Sequence, residues 1–291
     1  MQQIENGIFY EDAFLGTTLG ALVYTNGLIL IDAPLRPEDT RSWRLALTNQ
    51  RSGSTRTLVS LDAHPDRTLG TRALECTIIA HQKAAQVFRS RPTIFKGQSM
   101  ETGSAWETYN EAIGMRWAAP DITFTDRMSL HWGGPEVVLE SHPGATPGSI
   151  WLIVPAAKVA FVGDSVINNQ PPFLAQADLP QWIESLDLLT QQYAGYKIVS
   201  GRGGLAGPAD IQNQRAILQN VHEQLEQLGA RNAAPEATQD LAAGLLARYT
   251  FPAKLRDFYA IRLQYGLFQC YARRFRPSTT IGQPEIEEEE Q

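Results

Sequence analysis

Short apolar runs alternate with turn signals and helical stretches along the first third of the chain. Two β-branched and apolar runs within residues 17–34 flank Asn26-Gly27, and Asn-Gly is a strong hairpin signal. Residues 36–50 place a proline and acidic residues where a helix would begin. Further apolar runs at 55–62 and 76–81 read as buried strands. This alternation predicts an α/β architecture with helices packed on a sheet.

The middle of the chain changes from a helical to a β pattern. Residues 96–119 read as an inserted helical segment. Residues 121–142 show two alternating runs around a Gly-Gly turn, and 149–164 read as a second hairpin. Residues 179–193 have apolar positions at helical spacing, and a strand running into a Gly-rich turn is predicted at 197–204.

The C-terminal part is predicted to be mostly helical, with helices at 209–228, 236–248 and 252–275. We therefore expect one domain over residues 1–230 and a helical C-terminal extension over 231–291. The extension ends in the acidic sequence EIEEEEQ, which we expect to be solvated and disordered. The helix at 252–275 carries too many apolar and aromatic residues for a surface helix. It should pack against the body or against a second copy, which would give a homodimer through the C-terminal helices.

The net charge, the apolar runs and the cysteines of the chain indicate which binding partners and which cellular compartment to expect. The chain of 291 residues has 43% hydrophobic residues and a formal net charge of −6, which argues against nucleic acid as a partner. Its apolar runs are too short and interrupted to span a bilayer, so no membrane partner is expected. The first residues lack the features of a secretory signal. Cys76 and Cys270 show no zinc-ligand spacing, and we expect two buried thiols in a cytoplasmic protein.

Three polar stretches follow predicted strands: SLDAHPDRTLG at 60–70, SHPGATPGS at 141–149 with Gly-Asp at 163–164, and SGRGG at 200–204. In this order they resemble the metallo-β-lactamase superfamily, whose pattern is H-x-H-x-D-H-x-x-G, P-G-H-T-x-G-S, G-D and G-H-G. Asp32 is similar to the buried aspartate after an early strand of that family. The resemblance covers roughly residues 4–230. It implies an αββα sandwich that carries its metals at strand ends along one sheet edge.

The resemblance also implies seven ligand positions, and this sequence keeps three of them, His64, Asp66 and Asp164. The family's other four positions, all histidines, carry Asp62, Arg67, Ala145 and Arg202. A guanidinium has no lone pair to give to a metal, and two of them would repel a dication. We therefore expect the dinuclear zinc centre to be lost. Arg67 and Arg202 should instead form ion pairs with Asp66 and Asp164.

The position of the first metal leaves two alternatives. Asp62, His64, His142 and Asp164 could hold a single divalent Zn, Mn or Fe ion in an open site. Alternatively no metal binds, His64 is held by a carboxylate, and His142 is hydrogen-bonded to a loop. The residues themselves do not decide between a mononuclear site and none.

Several functions follow from these alternatives. One is a hydrolase-like enzyme with an altered, at most mononuclear site, acting on a small ester, thioester, lactone or phosphate. In it Asp66, Arg67 and Arg202 would be catalytic, with the arginines stabilising negative charge. Another is a non-catalytic ligand-binding or interaction protein whose former metal site is an Asp/Arg salt-bridge cluster. A third is a metal-free binder of small anions that uses the same two arginines. In each case a small molecule is the expected ligand, in a pocket walled by Phe173, Trp106 and Trp117.

Overall fold

The computed structural model describes residues 1–48, 50, 55–92, 94–95 and 100–276. Its first sheet has seven strands in chain order, antiparallel from β1 to β4 and parallel from β4 to β7. The strands are β1 (Gln2–Glu5), β2 (Ile8–Glu11), β3 (Leu19–Tyr24), β4 (Gly27–Ile31), β5 (Thr55–Val59), β6 (Thr77–His81) and β7 (Ile122–Phe124).

The second sheet has six strands in the order β13-β12-β11-β10-β9-β8. Strands β11 and β12 are parallel, and the other neighbours are antiparallel. The strands are β8 (Arg127–Leu130), β9 (Val137–Ser141), β10 (Ile150–Val154), β11 (Val159–Phe161), β12 (Lys197–Val199) and β13 (Leu205–Ala206). The hairpins predicted around Asn26-Gly27, the Gly-Gly turn and residues 155–158 are confirmed.

Helices cover the outer faces of both sheets. They are α1 (Pro37–Thr48), α2 (Pro65–Thr68), α3 (Gln82–Ser90), α4 (Leu179–Gln192), α5 (Pro208–Ala230), α6 (Gln239–Leu246) and α7 (Arg256–Phe275). None of the described helices is long and apolar enough to cross a membrane.

The side chains on the two faces of each central strand are buried in different hydrophobic cores, which accounts for the layered architecture. Successive side chains of a strand point to opposite faces. Thus Leu152 of β10 lies in the core between the two sheets, whereas Trp151 packs into the core beneath the helices. In β4, Ile29 faces the other sheet and Leu30 packs with Trp43 of α1. Because both faces are buried, the order of layers is helix, sheet, sheet, helix, as the predicted αββα sandwich requires.

The C-terminal helices pack on the body of the protein. Tyr259, Leu263, Leu267 and Tyr271 of α7 are buried in the same hydrophobic cluster as Trp182 of α4. This explains the unusual number of apolar residues in α7 within a single chain. A homodimer through these helices stays a prediction, and the acidic tail lies outside the described residues.

The expectation of a helical insert at 96–119 is wrong for the residues that the structure describes. From residue 100 onward the segment forms two short 3-10 helices, Ala105–Thr108 and Asn110–Ala112, and otherwise irregular chain. Gly103 and Gly114 have φ angles of 62° and 86°, a conformation that ends a right-handed helix. Its aromatic residues Trp106, Tyr109 and Trp117 pack with Phe95 and Leu35.

Candidate functional site

The polar stretches of the sequence meet at one end of the sandwich. Asp32 follows β4, Asp62 follows β5, and the carboxyl ends of these parallel strands lie side by side. In the second sheet Asp164 follows β11 and Arg202 follows β12, again a parallel pair. This shared edge therefore gathers charged residues that are far apart in the sequence.

Arg67, in the first turn after His64, occupies the centre of this edge and is completely buried. Its Nη1 donates to Asp32 and its Nη2 donates to Asp164. Its Nε lies 2.8 Å from Asp62 Oδ1. One guanidinium thus forms ion pairs with three carboxylates, which follow strands of both sheets. The predicted partner Asp66 is not among its ion pairs in the described part of the chain.

Arg202 fills the neighbouring position and is 2% exposed. Its Nη1 donates to Asp66 Oδ2 at 2.6 Å and to the Gly16 carbonyl at 2.6 Å. Its Nε and Nη2 face Asp164 at 3.3 and 3.2 Å. Asp66 also accepts the backbone N–H of Trp106 at 2.8 Å. The expected ion pairs of Arg202 with Asp66 and Asp164 are therefore confirmed, as is the ion pair of Arg67 with Asp164. We call Asp32, Asp62, Asp66, Arg67, Asp164 and Arg202 the Asp/Arg cluster.

The charges of the Asp/Arg cluster divide its carboxyls into two kinds. Burial is the largest single influence on Asp164 and Asp66 and would raise their pKa values, but the neighbouring positive charges and hydrogen bonds, Arg202 foremost, together outweigh it and hold both pKa values below the ordinary range. Burial dominates at Asp32 and raises its pKa to about 7, against the opposing charge of Arg67. Burial likewise raises the pKa of Asp62. The two guanidiniums therefore neutralise Asp66 and Asp164 most fully.

His64 borders the Asp/Arg cluster, and its ring atom Nδ1 is a hydrogen-bond acceptor. Its Nδ1 accepts the backbone N–H of Asp66 at 3.1 Å and faces Arg202 Nη2 at 3.3 Å. Since both partners are donors, the proton sits on Nε2, which points to Ser104 Oγ at 3.4 Å. Burial lowers the pKa of His64 to about 3. The histidine is thus a neutral donor towards Ser104 and is unable to act as its general base.

His142, predicted as the fourth ligand of a mononuclear site, lies elsewhere. Its ring stacks on Trp151 with centroids 3.6 Å apart, and its Nε2 faces Glu140 Oε2 at 3.3 Å. The expected set of Asp62, His64, His142 and Asp164 is therefore not brought together in this structure. The reason is that the aromatic face of Trp151 and the carboxylate of Glu140 hold the imidazole.

The residues present do not fit the family's zinc pair. The guanidiniums of Arg67 and Arg202 form ion pairs with Asp164, a carboxylate that would otherwise bind the metals. A guanidinium has no lone pair with which to bind a metal itself. Asp164 is engaged by both arginines, and His64 Nδ1 accepts hydrogen bonds from the cluster. Within the described ranges, no group of three or more His, Cys, Asp or Glu side chains is placed to hold a metal ion.

A cavity of about 380 Å³ adjoins the Asp/Arg cluster and lies between the sandwich and α7. His64, Ser104, Trp106 and Phe173 line it. Of the residues expected to wall a pocket, Phe173 and Trp106 are thus in place. Trp117 is not part of the lining and instead packs edge-on against Phe95 and Phe88.

Sequence reasoning missed the contribution of α7 to this cavity. Arg262 of α7 is 2% exposed and lines the cavity. The guanidinium carbon of Arg262 lies 3.9 Å from the Phe173 ring centroid, and that of Arg202 lies 4.4 Å from it. Phe173 therefore joins the cluster to the cavity. A charged residue among the apolar positions of an otherwise buried helix was the available signal.

Close backbone packing fixes the turns that carry Asp164 and Arg202. A Cβ on Gly201 would lie 2.4 Å from both Asp164 Oδ1 and the backbone of Gly163. We expect Gly201→Ala to lower the free energy of unfolding by about 1–3 kcal/mol through overpacking. Gly244→Ala is the matched control, because a Cβ there meets nothing within 4 Å in helix α6, and it should be neutral or stabilising. Urea unfolding of both variants tests this, and equal stabilities would contradict it.

Comparisons with known proteins agree with this architecture. Residues 71–200 match the family model described as "Metallo-beta-lactamase superfamily". A comparison with curated proteins found no match. Among solved structures, a metallo-beta-lactamase from Pontibacter korlensis has a TM-score of 0.60 at 18% identity, covering 75% of this chain and 98% of that one. DIM-1 metallo-beta-lactamase gives 0.59 at 15% identity, covering 75% and 96%.

A double mutant of the sec-alkyl sulfatase PisA1 is similar over more of the chain. Its TM-score is 0.63 at 13% identity, and the match covers 93% of this chain but 49% of the sulfatase chain. At these identities the structural likeness concerns the fold. Residues 71–200 thus match the metallo-β-lactamase superfamily model, and the chain shares the αββα fold of these solved structures.

Proposed function

We propose that this chain is a metal-free, ligand-binding member of its family, in which the Asp/Arg cluster has replaced the metals. The observation that carries the proposal is the burial of two guanidiniums among the carboxylates. Arg67 is in contact with Asp32, Asp62 and Asp164, and Arg202 with Asp66 and Asp164. Their charges satisfy the aspartates that a metal would otherwise neutralise.

The arrangement favours a structural role for the cluster over a catalytic one. Both arginines are buried and paired, so neither presents a free guanidinium to a developing oxyanion. Asp66 accepts two backbone N–H groups as well as Arg202, which leaves it engaged on both oxygens. The tautomer of His64 leaves Ser104 without a base on that side. These contacts support ligand binding without hydrolysis.

The adjoining cavity supplies the binding site of the proposal. Its volume of about 380 Å³ lies within the range of small-molecule pockets, about 300–1,000 Å³. Phe173 and Trp106 give it aromatic walls, and Thr102 and Ser104 give it hydroxyl groups. Apolar walls with a few polar groups are typical of sites that bind small organic molecules.

The test is metal content after purification without chelator, measured by elemental analysis on the wild-type protein and on the Asp62→Ala/His64→Ala variant. We expect Zn, Mn and Fe well below one ion per chain in both proteins. The same proteins are then incubated with Zn²⁺ or Mn²⁺ and desalted, and we expect the same result. Near-stoichiometric metal that the variant loses would overturn the proposal and favour a mononuclear hydrolase.

A further inference from the structure

The charged groups on the wall of the cavity are all cationic. Arg91, Arg262 and Arg273 line it, and no aspartate or glutamate belongs to its described lining. This contrasts with the Asp/Arg cluster a few ångströms away, where every guanidinium faces carboxylates. The cavity therefore presents guanidiniums that form no ion pair with a carboxylate of the described residues.

Arg262 is the most deeply buried of these cations. Its Nε donates to the Gly103 carbonyl at 2.8 Å, and its Nη1 donates to Gln170 Oε1 at 2.8 Å and the Pro171 carbonyl at 3.0 Å. Among the described residues its Nη2 has no hydrogen-bond partner, and no carboxylate forms an ion pair with it. Burial, reinforced by the positive charge of Arg202, lowers the pKa of Arg262 to about 9.

Arg91, directly after α3, also lines the cavity. Its Nη2 donates to the Ala63 carbonyl at 2.5 Å, while its Nη1 is buried and has no partner within the described ranges. Its guanidinium lies 4.5 Å from the ring centroid of Trp117. Burial lowers the pKa of Arg91 to about 10. Neither Arg91 nor Arg262 forms an ion pair with a described carboxylate, and a desolvated cation that lacks such a partner gains from binding an anion.

Apolar side chains form a large part of the remaining lining, beside the hydroxyls of Thr102 and Ser104. They include Val87, Trp106, Phe173 and Leu174. Arg273, on the last turns of α7, is exposed, and its Nη2 donates to the Ala177 carbonyl at 2.9 Å. A ligand that satisfies the whole cavity therefore has an anionic group and an apolar body.

We propose that the cavity binds small amphiphilic anions, with a carboxylate or sulfonate-like head on Arg262 and Arg91 and an apolar body against Phe173, Leu174 and Val87. This inference rests on the proposed ligand-binding function and names its ligand class. It differs from anion binding by Arg67 and Arg202, because those guanidiniums are already paired with aspartates. Helix α7 is required, since it supplies Arg262 and part of the wall.

The experiment is isothermal titration calorimetry of the metal-free full chain with octanoate, octane-1-sulfonate and octan-1-ol. The three probes share the apolar chain and differ in the head group. Charge-assisted hydrogen bonds to guanidiniums of the cavity wall should make the anions bind at least about tenfold more tightly than the alcohol. A preference for octanoate over octane-1-sulfonate, or the reverse, identifies the head group that the site prefers. Equal binding of all three probes would overturn the inference.

Variants connect the binding to the named residues. Arg262→Met should weaken octanoate binding by about tenfold or more. Arg273→Glu places a carboxylate at an exposed position of the rim, so it keeps the fold while weakening the anions more than the alcohol. Arg72→Met, at an exposed arginine away from the cavity, is the control and should bind as the wild type does. Unchanged octanoate affinity in Arg273→Glu, together with unchanged affinity in a folded Arg262→Met, would contradict the proposal.

The two proposals fail separately. Metal content tests the proposed function without any organic ligand. A metal-free protein that binds no anion overturns this inference alone, whereas a stoichiometric metal with selective octanoate binding overturns the metal-free proposal and supports the ligand class.

Discussion

Replacing Arg67 by Met should lower the free energy of unfolding by about 3–5 kcal/mol, which is the usual effect of removing one partner from a buried ion pair. Asp32, Asp62 and Asp164 each face this guanidinium, so the substitution leaves buried carboxylates with fewer partners. Methionine fills much of the same volume, and the loss therefore reports charge more than packing. Urea unfolding at pH 7, followed by circular dichroism, measures it.

The charge argument also predicts how this loss depends on pH. In Arg67→Met, Asp32 and Asp62 lose their ion-pair partner and Asp164 keeps only Arg202, so burial raises the folded-state pKa of Asp32 and Asp62 further. A raised carboxyl pKa means that folding is favoured by protonation, and the penalty of the variant is present at high pH. The difference in unfolding free energy between wild type and variant should therefore shrink as the pH falls from about 7 towards about 4. A difference that stays constant over this range would contradict the assignment to charge.

A control separates the cluster from arginine substitution in general. Arg72→Met changes an exposed arginine close to Arg67 in the sequence, and surface substitutions usually stay within about 0.5 kcal/mol. If Arg72→Met and Arg67→Met were equally stable, Arg67 would not hold the cluster together.

The fold and the cluster were accessible from the sequence for a common physical reason. Buried strands with apolar residues on both faces leave a clear pattern, and the polar residues directly after β5, β11 and β12 have to meet at the sheet edge. The replacement of histidines by Arg67 and Arg202 predicted ion pairs with Asp164, because a buried guanidinium requires carboxylates. Local pattern and elementary chemistry were enough for these features.

Other parts of the site depend on contacts between distant segments. Arg262 reaches the cavity only because α7 folds back on the sandwich, which helical periodicity does not specify. His142 looked available for a metal, but its place is decided by stacking on Trp151 of the next strand. The segment after residue 100 has apolar positions that suggest a helix, yet positive φ angles at Gly103 and Gly114 divide it into short turns. Tertiary packing outweighed local propensity at each of these positions.

The Asp/Arg cluster and the cavity are neighbouring parts of one site. The cluster contains paired charges, and the cavity is lined by arginines that form no ion pair with a described carboxylate. The carboxylates Asp66 and Asp164 are neutralised by Arg202 inside the sandwich, and Phe173 separates this pairing from Arg262. The positive charge of the site is thereby left on the cavity side. A metal pair would draw anionic ligands to the strand ends, whereas in our proposal the anionic ligand binds nearer to α7. The ion pairs of the Asp/Arg cluster and the packing of α7 on the cavity both favour this position.

Asp66→Asn should weaken the dependence of the unfolding free energy on pH in the acid range. In the wild type, burial opposes ionisation of Asp66 and Asp164, but Arg202 together with the other charges and hydrogen bonds around them holds both pKa values below the ordinary range. A lowered folded-state pKa stabilises the native state fully above the unfolded pKa of about 3.9, and that stabilisation is lost as the pH falls through the folded value. Each carboxyl that takes up a proton on unfolding contributes a slope of about 1.4 kcal/mol per pH unit.

The variant removes one of these two carboxyls while keeping an oxygen for the backbone N–H of Trp106. We therefore expect the slope of unfolding free energy between about pH 4 and pH 2 to drop by up to about 1.4 kcal/mol per pH unit, beside a loss of stability at pH 7. Asp12→Asn, at an exposed aspartate, should keep the wild-type slope. Urea unfolding at half-unit pH intervals measures both. If Asp66→Asn kept the wild-type slope between about pH 4 and pH 2, Asp66 would not be an ionised carboxylate with a lowered pKa in the folded protein. The proposed charges of the Asp/Arg cluster would then be wrong.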